Sequence, residues 1–352
     1  MKFAFKAICA ITIVAFCLAH SARPCARAQS RPPQQTTDDD VIRVTTALVT
    51  LPVRITDRKG KVVPSLTREH FQVFEDGVQQ EIAYFEPPGD QNDPAVNSSL
   101  QLTVALLLDI SDSTQFKLEQ IQTTAIAFLD LLRSADRVVV VAFDKEVRVL
   151  NQATQNREVL RTSIRQIRSG GGTSLYQALI STIRLLNQIP GRKAIVVLTD
   201  GVDTASKDMT WETVLREVES SHVTIYPIQY HTLGDFADSA TRETHAVGEF
   251  GRTAHVTRGG EPISEVYRRA TRNLRLLADK TSGSFQYSDK SSSLARSFER
   301  LASQLRQQYT IGYYPANKTA DGKRKISVKV NRPDVKVNTR TSYTYRAHRS
   351  NQ

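Results

Sequence analysis

Cysteine is nearly absent from this chain: the three it has, Cys9, Cys17 and Cys25, all lie near the N-terminus. Cleavage of an N-terminal signal would remove all of them, leaving a mature chain with no disulfide and a stability that must come from its core. Exported proteins without cysteine are common outside animals, so the pattern points to a bacterial envelope or periplasm. A long hydrophobic run is also missing. Ala7 to Ala19 is apolar but too short for a comfortable membrane span. Lys2 and Lys6 precede it and Ala26-Arg27-Ala28 follows, so residues 1–28 read as a signal peptide cleaved before Gln29. Retention as an N-terminal anchor is the other reading. Lipidation at Cys25 is disfavoured, because Ala22-Arg23-Pro24 lacks the apolar-small character such processing uses.

The signatures of several enzyme classes are missing as well. No Gly-x-Ser-x-Gly elbow is present for a serine hydrolase. Gly170-Gly171-Gly172 is followed by Thr173 with no lysine, which excludes a standard phosphate-binding loop. A phosphotransfer aspartate at a strand end calls for a second Asp two residues on, and Ser111 stands there after Asp109. His231, His245 and His255 lack close metal-ligand spacing and read as surface residues. The expectation is a chain that is not an enzyme.

Charge is unbalanced toward the basic. The formal net charge of +11 includes Lys2, Lys6, Arg23 and Arg27 of the signal, leaving +7 on the mature chain. The basic residues are scattered, with small clusters at Arg268-Arg269, Arg272 to Arg275 and Lys323-Arg324-Lys325, which read mainly as solvated faces. Such a surface suits anionic envelope polymers better than nucleic acid in an exported protein.

Residues 29–40 are polar, with Pro32-Pro33 and Asp38-Asp39-Asp40, and read as a flexible lead-in. An N-terminal β segment covers 41–100. It comprises a near-alternating strand through Ile55, the turn Asp57 to Gly60, Phe71 to Phe74, the turn Glu75-Asp76-Gly77, and Ile82 to Phe85. A Pro- and Ser-containing loop closes it. Over 101–309 strands alternate with helical patterns. Leu102 to Leu108, Arg137 to Phe143, Ala194 to Leu198 and Val223 to Ile228 are unbroken apolar runs, and Val147 to Leu150 reads as a short antiparallel edge. Helices are expected over Phe116 to Leu132, Arg157 to Ile167, Ser174 to Leu186, Trp211 to Val218, Ile263 to Leu277 and Leu294 to Leu305. The fold class is α/β, a doubly wound and mostly parallel sheet. Residues 310–346 return to alternating β, before a tail at 347–352. Neither terminal β segment has enough strands to bury a core alone, so the two are expected to pair into one small β-sandwich with the α/β domain inserted between them. Thr232 to Pro262 has no clear period; long structureless stretches inside compact domains are often functional or disordered.

The apolar run Leu102 to Leu108 ends in Asp109-Ile110-Ser111-Asp112-Ser113. One carboxylate and two hydroxyls at alternate positions, at the carboxyl end of a buried strand, suit Mg²⁺, Mn²⁺ or Ca²⁺ and not zinc or copper. The same residues also suit a turn that caps the next helix. Two further places favour the metal. Thr173 follows a glycine run that lets the backbone approach a ligand closely, and Asp200 ends the strand Ala194 to Leu198 just before Gly201. In a doubly wound sheet the ends of central strands converge on one edge, where Asp109, Ser111, Ser113, Thr173 and Asp200 can meet.

Asp-x-Ser-x-Ser, a later Thr after glycines and a later strand-ending Asp-Gly together resemble the metal-ion-dependent adhesion site of von Willebrand factor type A domains, over Leu102 to about Tyr309. The flanks Leu66 to Gly77 and Tyr309 to Pro315 are similar to those of an exported bacterial subgroup of these proteins. The resemblance implies that Ser111 and Ser113 bind the ion directly, Thr173 directly or through water, and Asp109 and Asp200 largely through water. Thr204, Asp112 and Asp203 are neighbours not counted as ligands. It further implies an open coordination position for an Asp or Glu carboxylate of a protein partner, in adhesion or envelope interaction. The rival reading is a structural envelope protein whose metal only stabilises the fold.

Overall fold

The computed structural model describes residues 48–88, 101–230, 261–288, 291–317 and 321–345. The expected signal peptide and lead-in, the tail, most of the 232–262 insertion and the three histidines within or beside it lie outside the described residues. Every described residue belongs to one compact unit. Among the described residues no helix is long and apolar enough to cross a membrane.

The chain first forms β1 (Val49–Asp57), β2 (Phe71–Glu75), β3 (Val78–Gln80) and β4 (Ile82–Glu86). The middle region follows with β5 (Leu102–Asp109), α1 (Leu118–Leu131), β6 (Arg137–Phe143), β7 (Val147–Val149), α2 (Arg157–Arg165) and α3 (Leu175–Asn187). It continues through β8 (Arg192–Thr199), α4 (Trp211–Ser220), β9 (Thr224–Tyr230), α5 (Ile263–Thr281), β10 (Gln286–Ser288) and α6 (Ser291–Arg306). The last strands are β11 (Tyr309–Tyr313), β12 (Gly322–Val330), β13 (Val335–Asn338) and β14 (Ser342–Tyr345).

The middle region is the doubly wound sheet that the apolar runs predict. Its order is β10-β9-β8-β5-β6-β7, parallel throughout except for the antiparallel edge β7. All eight residues of β5 are buried, because helices cover both faces of the sheet. On one face Leu106, Leu108, Val196 and Leu198 pack with Phe128 of α1, Leu160 of α2 and Phe298 of α6. On the other, Leu107, Ile195 and Val197 pack with Leu179 of α3, Val214 of α4 and Leu277 of α5. Burial of a Leu or Phe side chain contributes about 1.5–3 kcal/mol, so these two layers hold the sheet rigid at its centre. The strand order reverses between β5 and β8, and this is where such folds place a ligand.

The two terminal β segments interleave. One antiparallel sheet has the order β13-β1-β11-β4 and the other β14-β12-β2-β3. Leu51 of β1 stands opposite Ile311 of β11, and Val73 of β2 opposite Val328 of β12. Leu51, Val53, Phe71, Val73, Tyr309, Ile311, Ile326 and Tyr343 form one shared core. Strands from both ends of the chain therefore build a single two-sheet layer, with the α/β domain entering after β4 and leaving at β11. Glu86 at the end of β4 is paired with Thr310 at the start of β11.

One strand departs from the sequence reading, which ran from the turn at Gly77 to Ile82 without a strand. Val78-Gln79-Gln80 is too short and polar to show alternation, yet it pairs as β3 with β2. Asp76 and Gly77 both take positive φ (49° and 86°), the condition for a tight two-residue hairpin turn.

A buried charge joins the sheets. Glu75 accepts hydrogen bonds from Arg324 (2.6 Å), Tyr313 (2.7 Å) and Tyr343 (2.7 Å). Four donors and acceptors from β2, β11, β12 and β14 thus satisfy one another inside the core, as a buried carboxylate requires. The sandwich also grips the α/β domain: Arg340, itself buried, donates to the Ser221 carbonyl at 2.7 Å in the link between α4 and β9.

Candidate metal centre

β5 and β8 lie side by side, and their carboxyl ends deliver Asp109 and Asp200 to one edge of the sheet. Asp109 is fully buried. Its Oδ1 accepts the Ser111 hydroxyl at 2.6 Å and the Ser111 N–H at 3.1 Å. Its Oδ2 accepts the Thr199 hydroxyl at 2.7 Å. A serine hydroxyl that gives its proton to a carboxylate keeps its lone pairs for another acceptor-seeking group, and a cation is one.

The glycine run is stitched to the same turn. Gly170 N–H donates to the Ile110 carbonyl and Asp112 N–H to the Gly171 carbonyl, each at 3.0 Å. Gly171 has φ +54°, and a Cβ there would stand 3.1 Å from the Lys145 side chain. A side chain at Gly172 would meet the Thr204 hydroxyl, also at 3.1 Å. The chain can press this close only because these positions carry no Cβ.

Thr173 is buried and held from the loop that follows β8. Its N–H donates to the Thr204 hydroxyl at 2.9 Å, and its carbonyl accepts from the N–H groups of Thr204 and Ala205 at 2.8 and 2.9 Å. Asp203 of that loop caps α3. Its Oδ1 accepts the Tyr176 N–H at 3.0 Å, while Ser174, at the cap position itself, donates to the Lys145 carbonyl instead. The loop carrying Asp200 and the loop carrying Thr173 are therefore one hydrogen-bonded assembly. Thr204 and Asp203 act as its scaffold.

Asp200 is nearly fully buried. Its Oδ1 accepts the Val202 N–H at 3.0 Å, and the Tyr267 hydroxyl of α5 approaches Oδ2 at 3.4 Å. Gln229 of β9 binds its carbonyl at 2.8 Å. The turn after it needs Gly201, whose φ is +88° and whose Cβ would lie 2.8 Å from Leu274. Asp109, Ser111, Thr173 and Asp200 are thus delivered by three loops joined to one another at a single sheet edge. Ser113 falls in the 3₁₀ turn Asp112–Lys117, and its side chain lies outside the described residues.

Burial, with the charge of Asp200 adding to it, pushes the Asp109 carboxyl well above the usual carboxylate range. Its hydrogen-bond donors, Ser111 and Thr199, are neutral and offset only part of this. Two residues of the site escaped the sequence reading. Thr199 is the polar residue that closes an otherwise apolar strand, and that position was the available signal. Tyr230, at the end of β9, looks like a core aromatic. Its hydroxyl is buried and has no hydrogen-bond partner among the described residues. Burial, with the charges of Asp109 and Asp200 adding to it, raises its pKa well above the ordinary phenol value.

These residues fit a divalent cation. The donors are all hard oxygens, the type that Mg²⁺ and Ca²⁺ take. Two carboxylates repelling each other in a buried site, beside an unsatisfied phenol, are what a hydrated cation would stabilise.

Residues 104–202 match the family model of the von Willebrand factor type A domain. The protein carries a von Willebrand factor type A domain, set in an α/β sheet with added antiparallel sheets. A curated relative, the uncharacterized protein sll0103 of Synechocystis, is 27% identical over 173 residues, which is 47% of this chain and 40% of that protein. The match thus spans well under half of the relative's length. Among solved structures, the chain is similar to a von Willebrand factor type A protein from Catenulispora acidiphila, at 12% identity and a TM-score of 0.44, covering 86% of this chain and 75% of that one. It is also similar to the vWF domain of the type V pili tip protein Mfa5 from Porphyromonas gingivalis, at 14% identity and a TM-score of 0.42, covering 58% and 95%.

Proposed function

We propose that this protein is exported and binds a protein partner through a divalent cation, Mg²⁺ or its substitutes Mn²⁺ and Ca²⁺. Asp109, Ser111, Ser113, Thr173 and Asp200 would hold the ion. Bound there, the ion supplies a positive, under-ligated centre for an Asp or Glu carboxylate of the partner. The protein's own residues do the positioning. Thr199 and Ser111 fix the Asp109 carboxylate, the Gly170 to Gly172 run brings Thr173 to the edge, and the Gly201 turn aims Asp200. The observation that supports this most is the fastening of three separate loops, each carrying hard oxygen donors, at the sheet's reversal point. The site is one of recognition and not catalysis: Ser111 stands where a phosphotransfer site would carry a second carboxylate. Anionic envelope polymers are a second class of partner that the basic surface suits.

Calorimetric titration of Mg²⁺ and Mn²⁺ into wild type and Asp109→Ala tests the reading. Wild type should bind one ion and the variant none, with circular dichroism unchanged; equal binding by both would overturn the assignment. Partner capture from envelope extract should be lost in EDTA while the melting temperature moves little. If metal removal unfolds the protein and no partner responds, the ion serves the fold alone.

A further inference from the structure

A cleft of about 790 Å³ lies away from the metal centre, between the sandwich and the C-terminal half of α6. Arg54 of β1 and Lys61 of the turn after it line one side, and Arg300 and Arg306 of α6 line the other. No carboxylate lines it among the described residues. None of these four cations forms an ion pair among the described residues. Other basic residues do, such as Arg161 with Asp130 and Lys280 with Glu219.

Two of the four are held in place by neutral groups. Arg300 donates to the Gln286 side chain at 3.1 Å and Arg306 to the Leu131 carbonyl at 3.1 Å. Arg54 leaves the outer face of β1, between buried Val53 and Ile55, so it points away from the sandwich core and toward α6. The hydroxyl of Ser303 and the amides of Gln304 and Gln307 add uncharged hydrogen-bonding groups, and Val62, Pro64 and Pro88 complete the wall. Like charges facing one another across a cleft repel. Their arrangement is stabilised when an anion enters, and arginine forks match the paired oxygens of phosphate and carboxylate. The carbonyl end of α6 opposes an anion, but by less than two charge-assisted contacts return. The volume lies within the range of small-ligand sites.

We propose that this cleft is an anion-binding site for a ligand carrying two or more closely spaced phosphate or carboxylate groups, gripped by Arg54 and Lys61 on one side and Arg300 and Arg306 on the other. It does not depend on the metal centre.

The full chain, stripped of metal by passage over a chelating resin so that the cation site plays no part and no free chelator competes, is titrated calorimetrically with inorganic pyrophosphate and, separately, with citrate. Wild type should bind at least one of them at one per chain, and which one it prefers assigns phosphate or carboxylate chemistry. The double variant Arg54→Ala/Arg300→Ala should bind about tenfold more weakly or worse, each tenfold being about 1.4 kcal/mol. Lys61→Ala/Arg306→Ala, at exposed positions, should show the same loss and serves if the first variant fails to fold. The control is Lys323→Ala/Lys325→Ala, which removes the same charge from a separate groove on β12 and should bind as wild type does. Absence of one-to-one binding by both anions would overturn the proposal. So would an equal loss in the control, which would mean that net charge alone attracts the anion.

Discussion

The Thr199 hydroxyl donates to Oδ2 of Asp109 at 2.7 Å, joining the ends of two adjacent parallel strands across the point where their order reverses. The Thr199 hydroxyl oxygen also accepts the Gly201 N–H at 3.0 Å, so one buried side chain sets both the carboxylate and the turn behind Asp200. Thr199→Val keeps the shape and removes both bonds. It should cost about 1–3 kcal/mol in urea unfolding and weaken Mg²⁺ about ten- to a hundredfold by calorimetry. Unaltered Mg²⁺ affinity would remove Thr199 from the site.

Tyr230 makes the opposite prediction. Its buried hydroxyl has no partner among the described residues, so Tyr230→Phe should stabilise the metal-free protein by about 1 kcal/mol. With Mg²⁺ present the gain should shrink or reverse, because the hydroxyl then has a hydrated ion to serve. Denaturation curves with and without Mg²⁺ measure both. A loss of stability in the metal-free protein would show that the phenol already has a partner.

Gly201 combines a left-handed φ of +88° with close contact to Leu274. Gly201→Ala should therefore cost about 1–2 kcal/mol for the backbone and a further 1–3 kcal/mol for overpacking. Adding Leu274→Ala should relieve the steric part and leave the backbone part. A double-mutant cycle checks this; strict additivity would mean that the Leu274 contact carries no cost.

His222 supplies a pH dependence. Burial, with Arg340 and Lys193 adding, lowers its pKa from 6.5 to about 3, so the folded protein holds it neutral while the unfolded chain protonates. Its contribution is complete above pH 6.5 and is lost as the pH falls from there toward 3, at up to ~1.4 kcal/mol per pH unit. His222→Phe keeps the ring against Tyr343 (centroids 5.4 Å apart in the native pair) and should flatten the stability curve between pH 6 and 4. An unchanged slope in urea unfolding would place the acid sensitivity elsewhere.

Much of the fold is legible because its signals are local. The unbroken run at Leu102 to Leu108 can only be a strand covered on both sides, and Asp76-Gly77 can hardly be anything but a tight turn. What escaped is what depends on partners. Val78-Gln79-Gln80 becomes a strand only because β2 is beside it. The expected helix from Phe116 begins instead at Leu118, after a 3₁₀ turn, since the backbone there is also bound to the glycine run. Asp109, Ser111, Thr173 and Asp200 declared themselves by residue type at strand ends and loops. Thr199 and Tyr230 sit in strands where a hydroxyl reads as core, and only the neighbouring strand shows what each oxygen faces.

The pairing of Glu86 with Thr310 has a mechanical meaning. The α/β domain leaves and re-enters the sandwich through two strands that are already hydrogen-bonded to each other. β1 is also paired with β13, whose chain leads straight into β14. Tension applied between β1 and β14 is therefore carried by the sandwich ladders, and the β4–β11 pair closes the root of the domain without loading the sheet that carries Asp109 and Asp200. The arrangement is a strain relief. A binding site mounted this way can hold its geometry while the chain on either side of it is pulled.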